Sequence, residues 1–363
     1  MKFLTLKQES FGLDISDLSL KFAKLKKRGK FFSLVSWNEL ELESGTVEDG
    51  EIKNEGALAE AIKKGVAEVK GEKLRTKNVI VSLPEKKAFL QVIQMPKMAE
   101  EELKTAVSFE AENCIPLPIE RVYLDFQIVL PVQDSLDHLD ILIAAIPKNI
   151  VESYISCLKK AGLKPQGLEI ESQSITRALI KNGITYSPVF IIDFGRSSTS
   201  FIIFSGYSLR FTSSIFISSQ EITQTIAKSL RVDLTEAEGL KLKYGLNKRS
   251  GEGKKINKTI TPILTDLVRE VAKHINYYHS HRAHEHLPPN GREIGKIILC
   301  GRGSNLKGLP DFLFSQLKIP VEIANPWVNI LPERLKEVPG LPFKESLGYT
   351  TVLGLALRGI KND

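Results

Sequence analysis

The feature that most constrains the fold of this chain is a repeat. Leu13–Lys24 and Ile192–Ile203 align at one constant offset, setting Asp14 against Asp193, Ser16 against Gly195, Ser19 against Ser198 and Phe22 against Phe201. Each copy reads as an apolar strand, an acid, a small polar turn and a second strand. A repeat half a chain apart, rather than about 20 to 50 residues apart, argues against a solenoid and for a duplicated domain whose copies face each other.

The chemistry of the hairpin points the same way. A tight turn of small side chains leaves backbone N–H groups free to converge on phosphate oxygens, and an adjacent Asp can hold the waters of a Mg²⁺ ion. Two such turns opposed across a cleft would grip a polyphosphate from both sides, with Lys21 adding a point charge. A single Asp at a turn is also explained by capping of its own backbone; it is the second copy, in register, that favours a ligand. Leu299-Cys-Gly-Arg-Gly-Ser-Asn305 adds an apolar strand running into a glycine loop, with a helix expected over Asn305–Leu317 that would seat a nucleotide at its N-terminus.

Between the repeats the texture changes. Residues 85–146 read as a compact βαββ insert: strand Phe89–Gln94, helix Glu100–Asn113 stopped by Ile115-Pro116-Leu-Pro118, and strands Val122–Leu130 and Leu139–Ile146. Residues 1–84 and 147–187 then form one lobe and 188–363 the other. Further helices are expected at Leu58–Val69, Asn149–Ala161, Ser172–Lys181, Glu221–Leu230, Thr235–Tyr244, Thr259–His279 and Leu347–Arg358, and a short strand at Leu168–Ile170.

Composition excludes several classes. With 42% apolar residues over 363, the chain can bury two ordinary cores. The net charge of +7 arises from 50 basic against 43 acidic residues, largely interleaved. The basic runs at residues 24–30 and 248–255 lack the aromatic interleaving of a base-stacking surface, so no nucleic-acid partner is expected. Cys114, Cys157 and Cys300 fit neither a disulfide framework nor a zinc spacing. No window reaches about 18 uninterrupted apolar residues and the N-terminus lacks a signal-peptide apolar region, so a cytoplasmic chain is expected.

These residues resemble the actin, Hsp70 and FtsA superfamily and, within it, the PilM family of type IV pilus assembly proteins. Gly12-Leu-Asp14 with Ser19 and Lys21 resembles the first phosphate segment, Ile192-Asp-Phe-Gly195 with Thr199 the second, and Gly301-Arg302-Gly303 with Gly308-Leu309 the adenosine segment, with Ser16 and Ser304 as further candidate contacts to phosphate and adenosine. Two stretches resemble PilM in particular: Met95-Pro96 with Phe109-Glu-Ala111, Ile115-Pro116, Pro118 and Asp125-Phe-Gln127, and Thr235-Glu-Ala-Glu238 with Leu240-Lys241. The resemblance implies an α/β fold of duplicated actin-like (ribonuclease H-like) domains around a nucleotide cleft, with the insert as a small subdomain. It implies ATP and Mg²⁺ as cofactors, the metal held through its waters by Asp14 and Asp193. It further implies an adaptor peripheral to the bacterial inner membrane that takes the short cytoplasmic tail of a PilN-like bitopic protein in a groove near Glu110, Ile115 and Pro116. Other components of a pilus or type II secretion platform are further expected partners, and self-association is left open. The alternatives are an active ATPase or sugar kinase of the same fold, or an FtsA-like membrane filament.

The sequence departs from the family at several glycines. Ser16 stands in the first phosphate turn, Arg196 follows Gly195, Arg302 interrupts the adenosine glycines, and Ser218-Ser219-Gln220 replaces a glycine pair. A Cβ at such positions limits positive φ and holds a ligand off the backbone, although an arginine can contact phosphate directly. Glu171 is the one candidate for orienting an attacking water, its alternative role being the cap of its own helix. The histidines at 274, 279, 281, 284 and 286 are read as a helix end rather than a metal site. Residues 250–255 resemble a P-loop only superficially and are expected to form a surface loop.

Overall fold

The computed structural model describes residues 9–130, 138–247, 249, 251–281, 293–332 and 339–361. Two sheets carry the fold. The first runs in the order Lys164–Ile170, Asn78–Leu83, Phe11–Ile15, Ser19–Arg28, Phe31–Glu41, Lys70–Gly71, and the second in the order Val321–Ile323, Lys296–Cys300, Thr185–Phe194, Thr199–Gly206, Ser208–Ile215. The first five strands of one list match the five of the other, position by position.

The match extends to register. In both sheets the first hairpin strand pairs antiparallel with its partner and parallel with a later strand, Asp14 lying opposite Lys21 and Asp193 opposite Ser200 and Cys300. The hairpin strands Phe11–Ile15 and Thr199–Gly206 are buried along their whole length, as expected where helices cover both faces of a sheet. The chain therefore has the duplicated α/β architecture read from its repeat.

Two connecting helices, Glu171–Leu179 and Thr350–Lys361, pack together between the sheets. Their approach is close enough that a Cβ on Gly354 would fall 1.9 Å from the Ser174 carbonyl oxygen. Buried Glu169 accepts hydrogen bonds from Arg177 of the first helix and, at 2.7 Å, from Arg358 of the second. The late segment around Trp327, Ile330, Leu341 and Tyr349 shares a core with Ala23 and Leu25 of the first sheet, so the chain returns to its first sheet before it ends.

The insert is βαββ as read: strands Phe89–Pro96, Val122–Val129 and His138–Pro147 with helix Glu100–Cys114. Val122–Val129 lies at the edge of its three-stranded sheet, and Leu103, Val107, Ala111 and Ile115 fill the small core beneath.

Three expectations change. The helix read from Asn305 begins at Leu309, because Gly308 sits at φ +82°, outside helical space, and a 3-10 turn spans Arg302–Asn305. Residues 251–255, read as surface loop, open a helix running Gly251–His281. Ile256, Ile260, Leu264, Leu267 and Val271 continue one buried stripe along it, and that burial outweighs the low propensity of Gly251 and Gly253. The strand read as Leu168–Ile170 starts at Lys164; it is a sheet edge, where Pro165 and a bulge are tolerated.

Candidate functional site

A cleft opens between the hairpin turns of the two sheets. It is lined by Asp14, Ser16, Ser19, Lys21 and Glu171 from the first half and by Asp193, Gly195, Arg196, Gly301 and Arg302 from the second, with Glu39, Ser200, Leu347, Gly348, Thr350 and Thr351. Residues read as phosphate, metal, adenosine and catalytic candidates thus meet in one place. Thr199, Gly303 and Ser304 do not line it. Thr199 is buried and donates to the Ile217 carbonyl at 2.6 Å. Ser304 turns back onto the Cys300 carbonyl, and Gly303 packs against the Phe194 ring, where a Cβ would fall 2.7 Å away.

The two aspartates have parallel settings. Asp14 accepts a 2.9 Å hydrogen bond from Ser82 and faces the Lys21 ammonium at 3.8 Å. Asp193 has the Cys300 thiol as its hydrogen-bond neighbour. Burial, then the nearby charge of Asp14, pushes the Asp193 carboxyl from the ordinary 3.8 up to about 6. Gly301 makes this packing possible: its φ is +79° and a Cβ there would lie 2.4 Å from Asp193 Oδ1.

Glu171 is the first residue of its helix but does not cap it, which removes the alternative role considered for it. The cap comes from buried Glu85, whose Oε2 accepts from Ser172 N at 3.0 Å, while Glu171 Oε2 accepts from Glu85 N at 3.4 Å. Burial, and then the charges of Asp14, Glu85 and Asp193, hold the Glu171 carboxyl well above the usual carboxylate range. That shift favours the neutral carboxyl, which can donate a hydrogen bond to a bound water as well as accept one.

The departures from glycine prove to be local solutions. Neither Ser16 nor Arg302 takes a positive φ. Ser16 N donates to Ser19 O at 3.0 Å, the same bond that Gly195 N makes to Ser198 O at 3.0 Å. Ser218 caps the following helix through Glu221 N, and Ser219 takes the buried Lys241 ammonium at 2.8 Å. Arg302 pairs with Glu39 at 2.5 Å and Arg196 with Glu41 at 2.8 Å.

Sequence reasoning missed Glu39, Glu41 and Glu85. A signal for the first two existed: two acids at i, i+2 at the end of the third hairpin strand lie on one face, on the side where the turns open. Among the described residues no group of three or more His, Cys, Asp or Glu is placed to hold a metal. A cation here would therefore be held through waters and ligand oxygens, with Asp14 and Asp193 as the hard anionic donors. His274 has a structural place, bonded to Glu270 O at 2.7 Å and Ser213 Oγ at 3.1 Å against the Phe201 and Phe211 rings. His284 and His286 lie outside the described residues.

A second opening of about 560 Å³ lies where the insert meets both halves of the chain, lined by Asp125 and Gln127 of the insert, Leu168 and Gln173 of the first half, and Phe204 and Leu209 of the second sheet, among others. The groove residues read from sequence do not line it. Ile115 is buried in the core of the insert, Glu110 is half-buried on its helix, and Pro116 is exposed.

The sequence profile of the family described as type IV pilus assembly protein PilM matches residues 12–360. The chain belongs to the PilM family. It is similar to a chain of a solved PilM–PilN type IV pilus biogenesis complex, at 26% identity with a TM-score of 0.78, over 98% of this chain and 99% of that one. MreB5 of Spiroplasma citri bound to AMPPNP shares the actin-like fold at 13% identity, TM-score 0.57, over 98% of both chains. The cell division protein FtsA of Pseudomonas aeruginosa is 22% identical over 59% of this chain, and that of Neisseria meningitidis 28% identical over 28%. The chain spans about half or less of these FtsA relatives, 52% and 25% respectively. Among the described residues no helix is long and apolar enough to cross a membrane.

Proposed function

We propose that this PilM-family chain is an ATP-binding adaptor at the cytoplasmic face of a bacterial inner membrane, serving a type IV pilus assembly platform and receiving the short tail of a PilN-like bitopic protein. The observation that carries the nucleotide half is the duplicated hairpin, which presents Asp14 with Lys21 and, in the same register, Asp193 across one cleft. In this reading Asp14 and Asp193 hold Mg²⁺ through its waters, the turns at Ser16–Ser19 and Gly195–Ser198 receive phosphates, and Gly301 borders the nucleoside. Bound ATP acts chiefly as a conformational ligand that biases the angle between lobes, which requires only unequal affinity for two states.

For the partner, the supporting features are the likeness to the chain in the PilM–PilN complex and the channel beside the insert. Asp125 and Gln127, part of a PilM-like motif, line that channel from the edge strand Val122–Val129. Such an edge offers unpaired backbone groups to an extended peptide. Capture of a bitopic membrane protein from a membrane fraction tests the reading: the chain should retain it, Gln127→Arg should lose it, and Glu110→Ala should retain it. Equal capture by the first two would place the partner elsewhere.

A further inference from the structure

We infer that Arg196 and Arg302 are polyphosphate ligands held in reserve by Glu41 and Glu39, so that a nucleoside triphosphate enters the cleft by exchanging its phosphates for two carboxylates of the facing strand. The inference rests on the nucleotide reading above and deepens it.

Both ion pairs cross the cleft. Glu39 and Glu41 project from strand Phe31–Glu41 of the first sheet, whereas Arg196 lies in the second hairpin turn and Arg302 in the loop after Cys300. Arg302 Nη2 donates to Glu39 Oε2 at 2.5 Å, and Arg196 Nη1 donates to Glu41 Oε1 at 2.8 Å. The wall they leave behind is cationic. Lys241 is buried beside them, and burial together with the charges of its own neighbours Arg196 and Arg302 lowers the pKa of its ammonium, although Glu238 pairs with it at 2.6 Å.

The fit between the walls is tight but imperfect. The enclosed space is about 80 Å³, far below the roughly 300 to 1,000 Å³ of a typical ligand site, so a nucleotide enters only when the walls part. Parting breaks both pairs at once. Glu39 also keeps its second oxygen, Oε1, buried without a hydrogen-bond partner, which leaves the inner pair short of full satisfaction. The freed guanidiniums present forked donors whose geometry suits phosphate as it suits carboxylate, so each can take a phosphate in place of its glutamate. In this chain, arginine at the two former glycine positions turns backbone contact into side-chain exchange.

A titration with a fluorescent ATP analogue, mant-ATP with Mg²⁺, tests the exchange on the full chain. Glu39→Gln with Glu41→Gln removes the competing carboxylates and should tighten binding about fivefold, as expected from two partly exposed pairs. Arg302→Ala removes the phosphate ligand and should weaken binding about tenfold or more. Glu41→Gln alone, at an exposed position, should tighten binding by a smaller factor and guards against a misfolded double variant. If the glutamine variants bind as the parent does, or Arg302→Ala binds as well or better, the exchange is wrong while the nucleotide site stands. If the parent chain and every variant fail to bind mant-ATP, the nucleotide reading falls and the exchange with it.

Discussion

In the first half of the chain Asp14 lies between Lys21 and Ser82; in the second, Asp193 lies at the equivalent register between Ser200 and Cys300. The backbone is the same in both, down to the turn bond from Ser16 N to Ser19 O and from Gly195 N to Ser198 O. What differs is the company each carboxylate keeps. Asp14 has a cation opposite it and a hydroxyl donating to it. Among the described residues Asp193 makes no ion pair and feels the Lys21 charge only at a distance, with a thiol beside it and Gly301 pressed onto it. Duplication therefore fixed the scaffold, while the side chains have divided into one paired acid and one that titrates close to neutrality.

Making the second copy like the first at its tightest point gives the largest expected effect. Gly301 occupies the place that Leu83 holds after Ser82. Gly301→Leu would force a side chain into positive φ and onto Asp193, at about 4 kcal/mol combining backbone strain and overpacking. Urea unfolding should show this loss, and a change below about 1 kcal/mol would mean the loop does not depend on that glycine.

Next comes a pH effect confined to the second copy. Between pH 3.8 and about 6 the folded chain keeps a proton on Asp193 that the unfolded chain has lost. Stability therefore falls as pH rises through that window, and the deficit of about 3 kcal/mol is fully present above it. Unfolding curves from pH 4 to 7 should show Asp193→Asn gaining on the parent by that order as pH rises. A parallel pair of curves would show that Asp193 titrates normally. Ligand binding runs the other way, since a Mg²⁺–nucleotide needs the ionised form, so affinity should weaken below about pH 6.

The sheets and the insert were legible because their signals are local. Alternation, the acid at the turn and the proline stop at Ile115-Pro116 each act within a few residues. The cleft floor was legible only through its repeat: Asp14 alone reads as a turn cap, and Asp193 makes it a site. The cross-cleft pairs were not legible, because Arg196 meets a residue 155 positions away and Arg302 one 263 away. Glycine positions misled in both directions. Ser16 and Arg302 were read as obstacles to positive φ and need none, whereas Gly251 and Gly253 were read as loop and lie in a helix fixed by Ile256 and the stripe after it.

The smallest effects come from exchanging the two turns. Gly195→Ser gives the second copy the residue of the first, yet a Cβ there would fall 2.7 Å from the Ser198 carbonyl oxygen. About 1 to 3 kcal/mol of strain should follow, measurable by unfolding and by weaker mant-ATP binding as the turn shifts. The reverse exchange should cost less. Ser16 already carries its Cβ without strain, and its hydroxyl makes local bonds, donating to Ser19 O at 2.9 Å and accepting from Ser19 N at 3.2 Å, with Ser19 Oγ also at 3.2 Å. Ser16→Gly loses these and adds freedom to the unfolded chain, about 1 kcal/mol in all. If the loss instead matched that of Gly195→Ser, the serine would be holding the first turn in a shape its backbone does not adopt unaided. The likeness of the two hairpins would then lie in their ladders and not in their turns.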